Sequence, residues 1–200
     1  MRMEWIMINS LYFITTINYM QMSILLYILI GLAVIIAGLL ILGLFTKKSY
    51  FIRQEVVILR PKHTVFDFIK LMRNQELYSK WVLMDLNSKK TMDGTDGTVG
   101  CIYSWDSENK QVGKGEQTIT GIVDGERVDM DLHFIKPMEG YGKTNMQTEA
   151  VSGSQTRVVW ELSSSMKYPM NLMLVFMGLE GMLGRDMAES LSNLKTVLEK

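Results

Sequence analysis

Every residue from Trp5 to Thr46 is uncharged, and within that stretch Ser23–Phe45 reads SILLYILIGLAVIIAGLLILGLF. A chain carrying such a run has few stable fates. As a helix its 23 residues extend roughly 34 Å, enough to cross a hydrocarbon core of about 30 Å. Sixteen of them are Leu, Ile, Val or Phe; at roughly −0.3 to −0.6 kcal/mol each, their insertion free energy sums to about −5 to −10 kcal/mol with no charge opposing it. A core helix of a soluble protein seldom runs so long without a polar face. A cleaved signal peptide has a shorter apolar region, a basic segment before it and a small-residue cleavage site after it, and none of these is present. Residues 23–46 are therefore expected to form one transmembrane helix. Asn9, Ser10, Thr15, Thr16 and Asn18 interrupt the preceding residues, so 1–22 read as a polar-apolar tail, with Met20 or Met22 as an alternative translation start.

Lys47, Lys48, Arg53, Arg60 and Lys62 follow the span and only Arg2 precedes it. That bias directs the C-terminal part to the cytoplasm, giving a single-pass membrane protein. The lone Cys101 and the absence of an Asn-x-Ser/Thr sequon agree with that side. Basic and acidic residues balance at 21 each, so no surplus of positive charge points to nucleic acid as a partner.

Residues 50–200 have the length of one domain. Tyr50–Leu59 is rich in β-branched residues and closes at Pro61, the mark of a strand. Val65, Phe66, Phe68, Ile69 and Met72 recur at helical spacing and predict a helix over Lys62–Arg73, with a second over Gln75–Lys80. Six strand-like runs follow, at Val82–Met92, Cys101–Ser107, Gly115–Val123, Arg127–Ile135, Tyr141–Val151 and Gln155–Met166. Turn signals separate them; Asp124-Gly125 suggests a tight two-residue hairpin in which both central positions need positive φ. In Arg127–Phe134 the residues Val128, Met130, Leu132 and Phe134 alternate with Asp129, Asp131 and His133, so one face is core and the other solvent. Finally Leu183, Met187, Leu191, Leu194 and Leu198 form a single apolar stripe on a long helix, and Gly178, Gly181 and Gly184 predict a kink at its start. The apolar surface available to that stripe is the concave face of a twisted antiparallel sheet.

Several short segments occur in a telling order: Pro61 with Val65-Phe66, Tyr78-Ser79-Lys80-Trp81, Val99-Gly100 before Tyr103-Ser104-Trp105, Gly113-Lys114-Gly115, Phe134-Ile135-Lys136-Pro137, Thr156-Arg157-Val158-Val159-Trp160, and Asn193-Leu194-Lys195. In this order residues 50–200 resemble the START-like or SRPBCC superfamily, particularly its polyketide cyclase/dehydrase and lipid-transport branch. The resemblance implies an α+β helix-grip fold, its antiparallel sheet wrapped around the last helix, and an apolar cavity for a hydrophobic small molecule or lipid. Alternation and helix phase then put Trp81, Tyr103, Trp105, Phe134, Met146, Trp160 and Met177 forward as ligand-lining residues, although apolar cores use the same residue types. Met166, Met170, Met173, Met177, Met182 and Met187 cluster around the last helix, where flexible thioethers suit an adaptable pocket and serve equally as gap fillers.

Other chemistries find little support. His63, His133 and Cys101 are isolated, without metal-ligand spacing, so no metal is expected, and no nucleophilic constellation is visible. Gly142-Lys143-Thr144 lacks the earlier glycine and strand–loop–helix setting of a phosphate loop, and Gly113-Lys114-Gly115 lacks the third glycine of a dinucleotide fingerprint. Asp129 with Asp131, and Glu116 with Glu161, are possible carboxylate pairs; alternation turns the first pair to solvent. No catalytic residue and no cofactor are expected. The readings carried forward are a membrane-anchored binder of a hydrophobic molecule, a cyclase/dehydrase-like enzyme, and a protein-interaction module like the Hsp90 co-activator relatives of the superfamily.

Overall fold

The computed structural model describes residues Arg2–Lys200, with side chains described from Gln21 onward. It divides into two compact units, Met1–Thr46 and Lys47–Lys200. The first contains helix α1, Arg2–Phe45. Its Gln21–Phe45 segment is long and apolar enough to cross a membrane, and side chains such as Ile24, Ile28, Val34 and Ile41 are exposed. The reading of 1–22 as a tail falls almost wholly on side chains outside the described residues.

The second unit is an α+β helix-grip fold. Strand β1 (Ser49–Ile58) leads to helix α2 (Lys62–Ile69), a 3₁₀ turn (Met72–Leu77) and the short helix α3 (Lys80–Leu83). Strands β2 (Lys89–Asp93), β3 (Ile102–Asp106), β4 (Lys114–Val123), β5 (Arg127–Lys136), β6 (Gly140–Ser152) and β7 (Gln155–Ser165) follow, then helices α4 (Leu172–Phe176) and α5 (Leu179–Glu199). All neighbouring strands pair antiparallel in the order β1-β7-β6-β5-β4-β3-β2. The meander from β2 to β7 thus ends beside β1. Register shifts between β4 and β5, with Ile135 of β5 and Thr120 of β4 as the extra residues, are bulges of the kind that bend a strand and deepen a sheet's curl.

The stripe on α5 fills the curl. Met187, Leu191 and Leu194 are buried, and full burial of each contributes about 1.5–3 kcal/mol. An added Cβ at Gly184 would stand 3.3 Å from Gln54 Nε2 and 3.6 Å from Ile52 Cγ2, so this glycine lets α5 lie close on β1. Polar contacts fix the helix lengthwise. Arg60 Nε donates to Leu198 O (2.6 Å) and Lys195 Nζ to Val57 O (2.8 Å), placing positive charge at the negative helix end. Near the middle, Ser190 Oγ accepts from Lys80 N at 2.9 Å and Asn193 Nδ2 donates to Tyr78 O at 3.2 Å.

Three local expectations are corrected. Helix α2 ends at Ile69 rather than Arg73 because Leu71 is extended and the Asp96 carboxylate accepts from Met72 N (2.7 Å) and Arg73 N (3.2 Å), starting a separate 3₁₀ turn. The run Val82–Met92 is mostly not strand. Its first residues complete α3, and Asp85 then organises a turn by accepting from Asn87 N at its carboxylate, from Ser88 Oγ at its carbonyl and from the Ser107 hydroxyl. The β4–β5 connection has three residues, Asp124–Glu126, and of these only Gly125 has positive φ, at 70°. The expected break before α5 occurs at Gly178, φ 55°.

Leu191→Ala is expected to lower the unfolding free energy in urea by about 2–5 kcal/mol, and Asp96→Ala by about 0.5–2 kcal/mol through loss of the cap on Met72 and Arg73.

Candidate functional site

A cavity of about 740 Å³ opens at one end of the sheet, where β1 and β6 begin and β5 and β7 end. Its lining follows from strand register. Tyr50 pairs with Ser164, Ser164 with Gly142 and Gly142 with Leu132, a cross-strand row on the concave side. The next row, Phe51–Ser163–Lys143–Asp131, belongs to the opposite face. The concave row is bulky at its ends and small at its centre, where a Cβ on Gly142 would already stand 3.3 Å from Ser163 O and 3.7 Å from Leu162 Cδ1. Both rows contribute to the lining, and Ser49, Ser165, Tyr141 and Glu180 complete it.

The electrostatics are mild. Burial pushes the Tyr50 phenol above its ordinary range; the Ser164 hydroxyl pulls it down and the nearby Glu180 carboxylate raises it further. Tyr50 therefore stays protonated and offers an O–H donor at neutral pH. Glu180 pairs with Lys47 Nζ at 2.7 Å. The serines present hydroxyls, although Ser164 Oγ already donates to Tyr141 O at 2.7 Å. Such a site can hold an apolar body by contact and a polar end by hydrogen bonds.

Behind this cavity lies packed core. Tyr50, Ile52, Leu162, Leu174 and Met187 form a buried cluster, with Trp81, Leu132 and Trp160 packed against it. Trp81 and Trp160 meet edge to face at 6.0 Å, and Trp160 Nε1 donates to Thr144 Oγ1 at 2.8 Å. Tyr103 and Met146 belong to the larger cluster with Phe66, Tyr78, Leu191 and Leu194. Trp105 packs on that cluster and meets Phe134 edge to face at 6.4 Å. It has room because Gly115 lies beneath it, where a Cβ would stand 2.6 Å from Trp105 Cζ2. Six of the seven residues chosen from the sequence thus fall within or against the packed interior, as Trp81 and Trp160, Tyr103 and Met146, and Trp105 and Phe134. Met177 stands apart, exposed at the end of α4. None of the seven lines the 740 Å³ cavity, nor a second of about 290 Å³ bordered by Lys62, Arg127 and Glu149 at the other end of β5 and β6. The sequence alone does not single out the lining residues Tyr50, Leu132, Gly142 and Ser164, which the cross-strand register brings together.

The remaining polar groups have structural partners. Tyr103 Oη donates to Glu76 Oε1 at 3.2 Å and Gln75 Nε2 to Gln117 Oε1 at 3.1 Å. His133 lies between Glu116 (3.4 Å) and Glu139 (3.3 Å) and stacks on Tyr141, while Glu161 engages Arg53 and Asn145. The Glu116–Glu161 pair is therefore not assembled in one contact. Burial pushes the Cys101 thiol up, helped by Asp96 and Asp93. Among the described residues no group of three or more His, Cys, Asp or Glu side chains could hold a metal ion.

No protein-family model matches the sequence, and no curated protein matches it. Solved structures do. A crystal structure of Ara h 8.0201 aligns with a TM-score of 0.54 at 12% identity, covering 75% of this chain and 97% of that one. Norcoclaurine synthase from Thalictrum flavum, in complex with dopamine and hydroxybenzaldehyde, aligns with a TM-score of 0.55 at 12% identity over 79% of this chain and 92% of its own. DynU16, a protein of the dynemicin biosynthetic locus, gives 0.53 at 11% identity over 75% and 47%. At these identities the likeness is one of fold, the Bet v1-like helix grip that the START-like resemblance implied.

Burial pushes the Tyr78 phenol upward, and burial followed by the Glu76 carboxylate does the same for Tyr103. Ionisation is thus easier in the unfolded chain, and the associated stability is present below the ordinary phenol value of about 10 and lost as pH rises beyond it. Urea midpoints should fall above that pH, with a shallower decline in Tyr103→Phe and Tyr78→Phe.

Proposed function

We propose that this chain is a membrane-anchored helix-grip protein that takes a hydrophobic small molecule or lipid into its strand-end cavity. In this reading Gln21–Phe45 crosses the bilayer and the second unit lies on the cytoplasmic side. The observation that carries the reading is the cavity. Its volume, about 740 Å³, lies within the roughly 300–1,000 Å³ of ligand pockets. Tyr50, Phe51 and Leu132 offer apolar surface, while the Tyr50 phenol and the serines offer hydrogen bonds.

The anchor supplies the reason for a lipid-like guest. Only Thr46, Lys47 and Lys48 separate α1 from β1, and an extended link of four residue steps reaches at most ~14 Å. The residues at the cavity rim, Ser49 to Phe51, are the first of β1. A cavity tethered this closely to a bilayer draws on a reservoir of apolar molecules at high local concentration. Cationic residues after the span support the cytoplasmic assignment. Thalictrum norcoclaurine synthase, whose structure holds dopamine and hydroxybenzaldehyde, is a helix-grip precedent for small-molecule binding.

Native mass spectrometry of the purified full chain is expected to show a co-purified lipid-like mass that is weakened in Leu132→Lys, which puts a charge on the lining, with an unchanged circular dichroism spectrum. A wild-type chain free of adduct, also after incubation with mixed membrane lipids, would contradict the carrier reading and favour the interaction module. Conversion of a bound guest would favour the enzyme. Protease added to sealed inside-out bacterial vesicles should digest the second unit; protection there would reverse the orientation.

A further inference from the structure

The segment between β7 and α5 carries an apolar surface that the fold does not use. Helix α4 is held by Leu174, buried in the cluster behind the cavity. Leu172 and Met173 are half-buried, and the following residues and flanking side chains face outward: Met170 is 42% exposed, Val175 54%, Phe176 63%, Met177 55% and Met182 38%. Five large apolar side chains within thirteen residues form the kind of concentrated exposure that marks an interaction surface. Between Leu162 and Leu179 there is no acidic residue, and the charged side chain present is Lys167.

We infer that this α4 lobe rests in the headgroup and upper acyl region of the same membrane in which α1 is anchored. The inference builds on the anchored reading above. Lys47, two residues after Phe45, pairs through Nζ with Glu180 in the first turn of α5 at 2.7 Å. Lys48 O accepts from Met166 N at 2.7 Å, just before the lobe. The chain emerging from the span is therefore fastened at both flanks of the lobe, to the residue that precedes it and to the helix that follows it. With Phe45 at the end of the hydrocarbon segment, Lys47 lies within ~7 Å of chain, so the lobe's flanks belong at interfacial depth.

The chemistry fits that position. Phe176, Val175 and Met177 supply apolar surface of the kind that interfacial segments bury, while Lys48, Lys167 and Arg185 supply cations near the lobe in sequence, suited to anionic headgroups. Glu180, the nearby acid, is neutralised by Lys47. A protein partner would satisfy the apolar residues too, but the tether and the absence of acidic residues between Leu162 and Leu179 favour lipid. Glu180 also lines the 740 Å³ cavity, so a lobe seated in the interface brings a rim residue of that cavity to the lipid surface.

The test uses the full chain, Cys101→Ala, reconstituted in phosphatidylcholine/phosphatidylserine vesicles, with an environment-sensitive fluorophore on Phe176→Cys or, as a control at the far end of the sheet, on Ser154→Cys. With acyl chains brominated ~5–10 Å below the headgroups, the Phe176→Cys label is expected to lose most of its emission and the Ser154→Cys label none. Replacing phosphatidylserine by phosphatidylcholine should reduce the loss. Alkaline carbonate extraction of the same vesicles reports the anchor separately. A chain retained by the membrane whose Phe176→Cys label escapes quenching overturns the docked lobe and leaves the anchor standing. A blue-shifted but unquenched label identifies a protein-covered surface and overturns it equally. A chain released by carbonate removes the anchored reading and this inference together.

Discussion

Everything in the second unit depends on the burial of one face of α5 by the sheet. Met187, Leu191 and Leu194 are almost without exposed surface, and the partners that remove them from water come from β1, the 3₁₀ segment and α3 as well as the central strands. A seven-stranded sheet with an apolar concave face is insoluble without such a cover, and the helix is marginal without such a sheet. The two are stable only together. The curl that lets the sheet follow a helix has local causes: bulges in β4 and β5, and Gly115, whose missing side chain lets Trp105 fold over the strand.

That same burial decides where a guest has room. Large residues meeting at the middle of the grip fill it: Phe66, Tyr78 and Met146 around Leu191 and Leu194, and Trp81 against Trp160. The cavity lies at the strand ends, lined by Tyr50, Gly142, Leu132 and Ser164 together with Phe51, Asp131, Lys143 and Ser163 of the neighbouring row. The carrier reading therefore concerns a mouth-side cavity backed by a dense wall rather than a hollow centre lined by the aromatic residues.

The architecture was legible because it rests on periodicity. The alternation in Arg127–Phe134 and the stripe from Leu183 to Leu198 are local signals that the tertiary structure does not overrule, and together they imply a sheet with a helix in its concavity. Misjudged boundaries trace to side chains acting at a distance. Asp96 caps a turn 23 and 24 residues before it, and Asp85 is held in its turn partly by Ser107 across a 22-residue separation; neither pairing has a local signature. The cavity was less legible for a different reason. Size and orientation along one strand identify what fills an interior, whereas the cavity lining comes from four strands whose residues become neighbours only through the cross-strand register.

The most direct test of guest binding at the strand ends is a residue-resolved NMR titration of the full chain in detergent micelles with oleate as probe. The account predicts shifts at the Gly142 and Ser164 amides and the Leu132 methyls, with the Leu191, Leu194 and Met146 methyls unmoved. Shifts centred on Met146, Leu191 and Leu194, with Leu132 and Gly142 silent, would place the guest in the middle of the grip and contradict it.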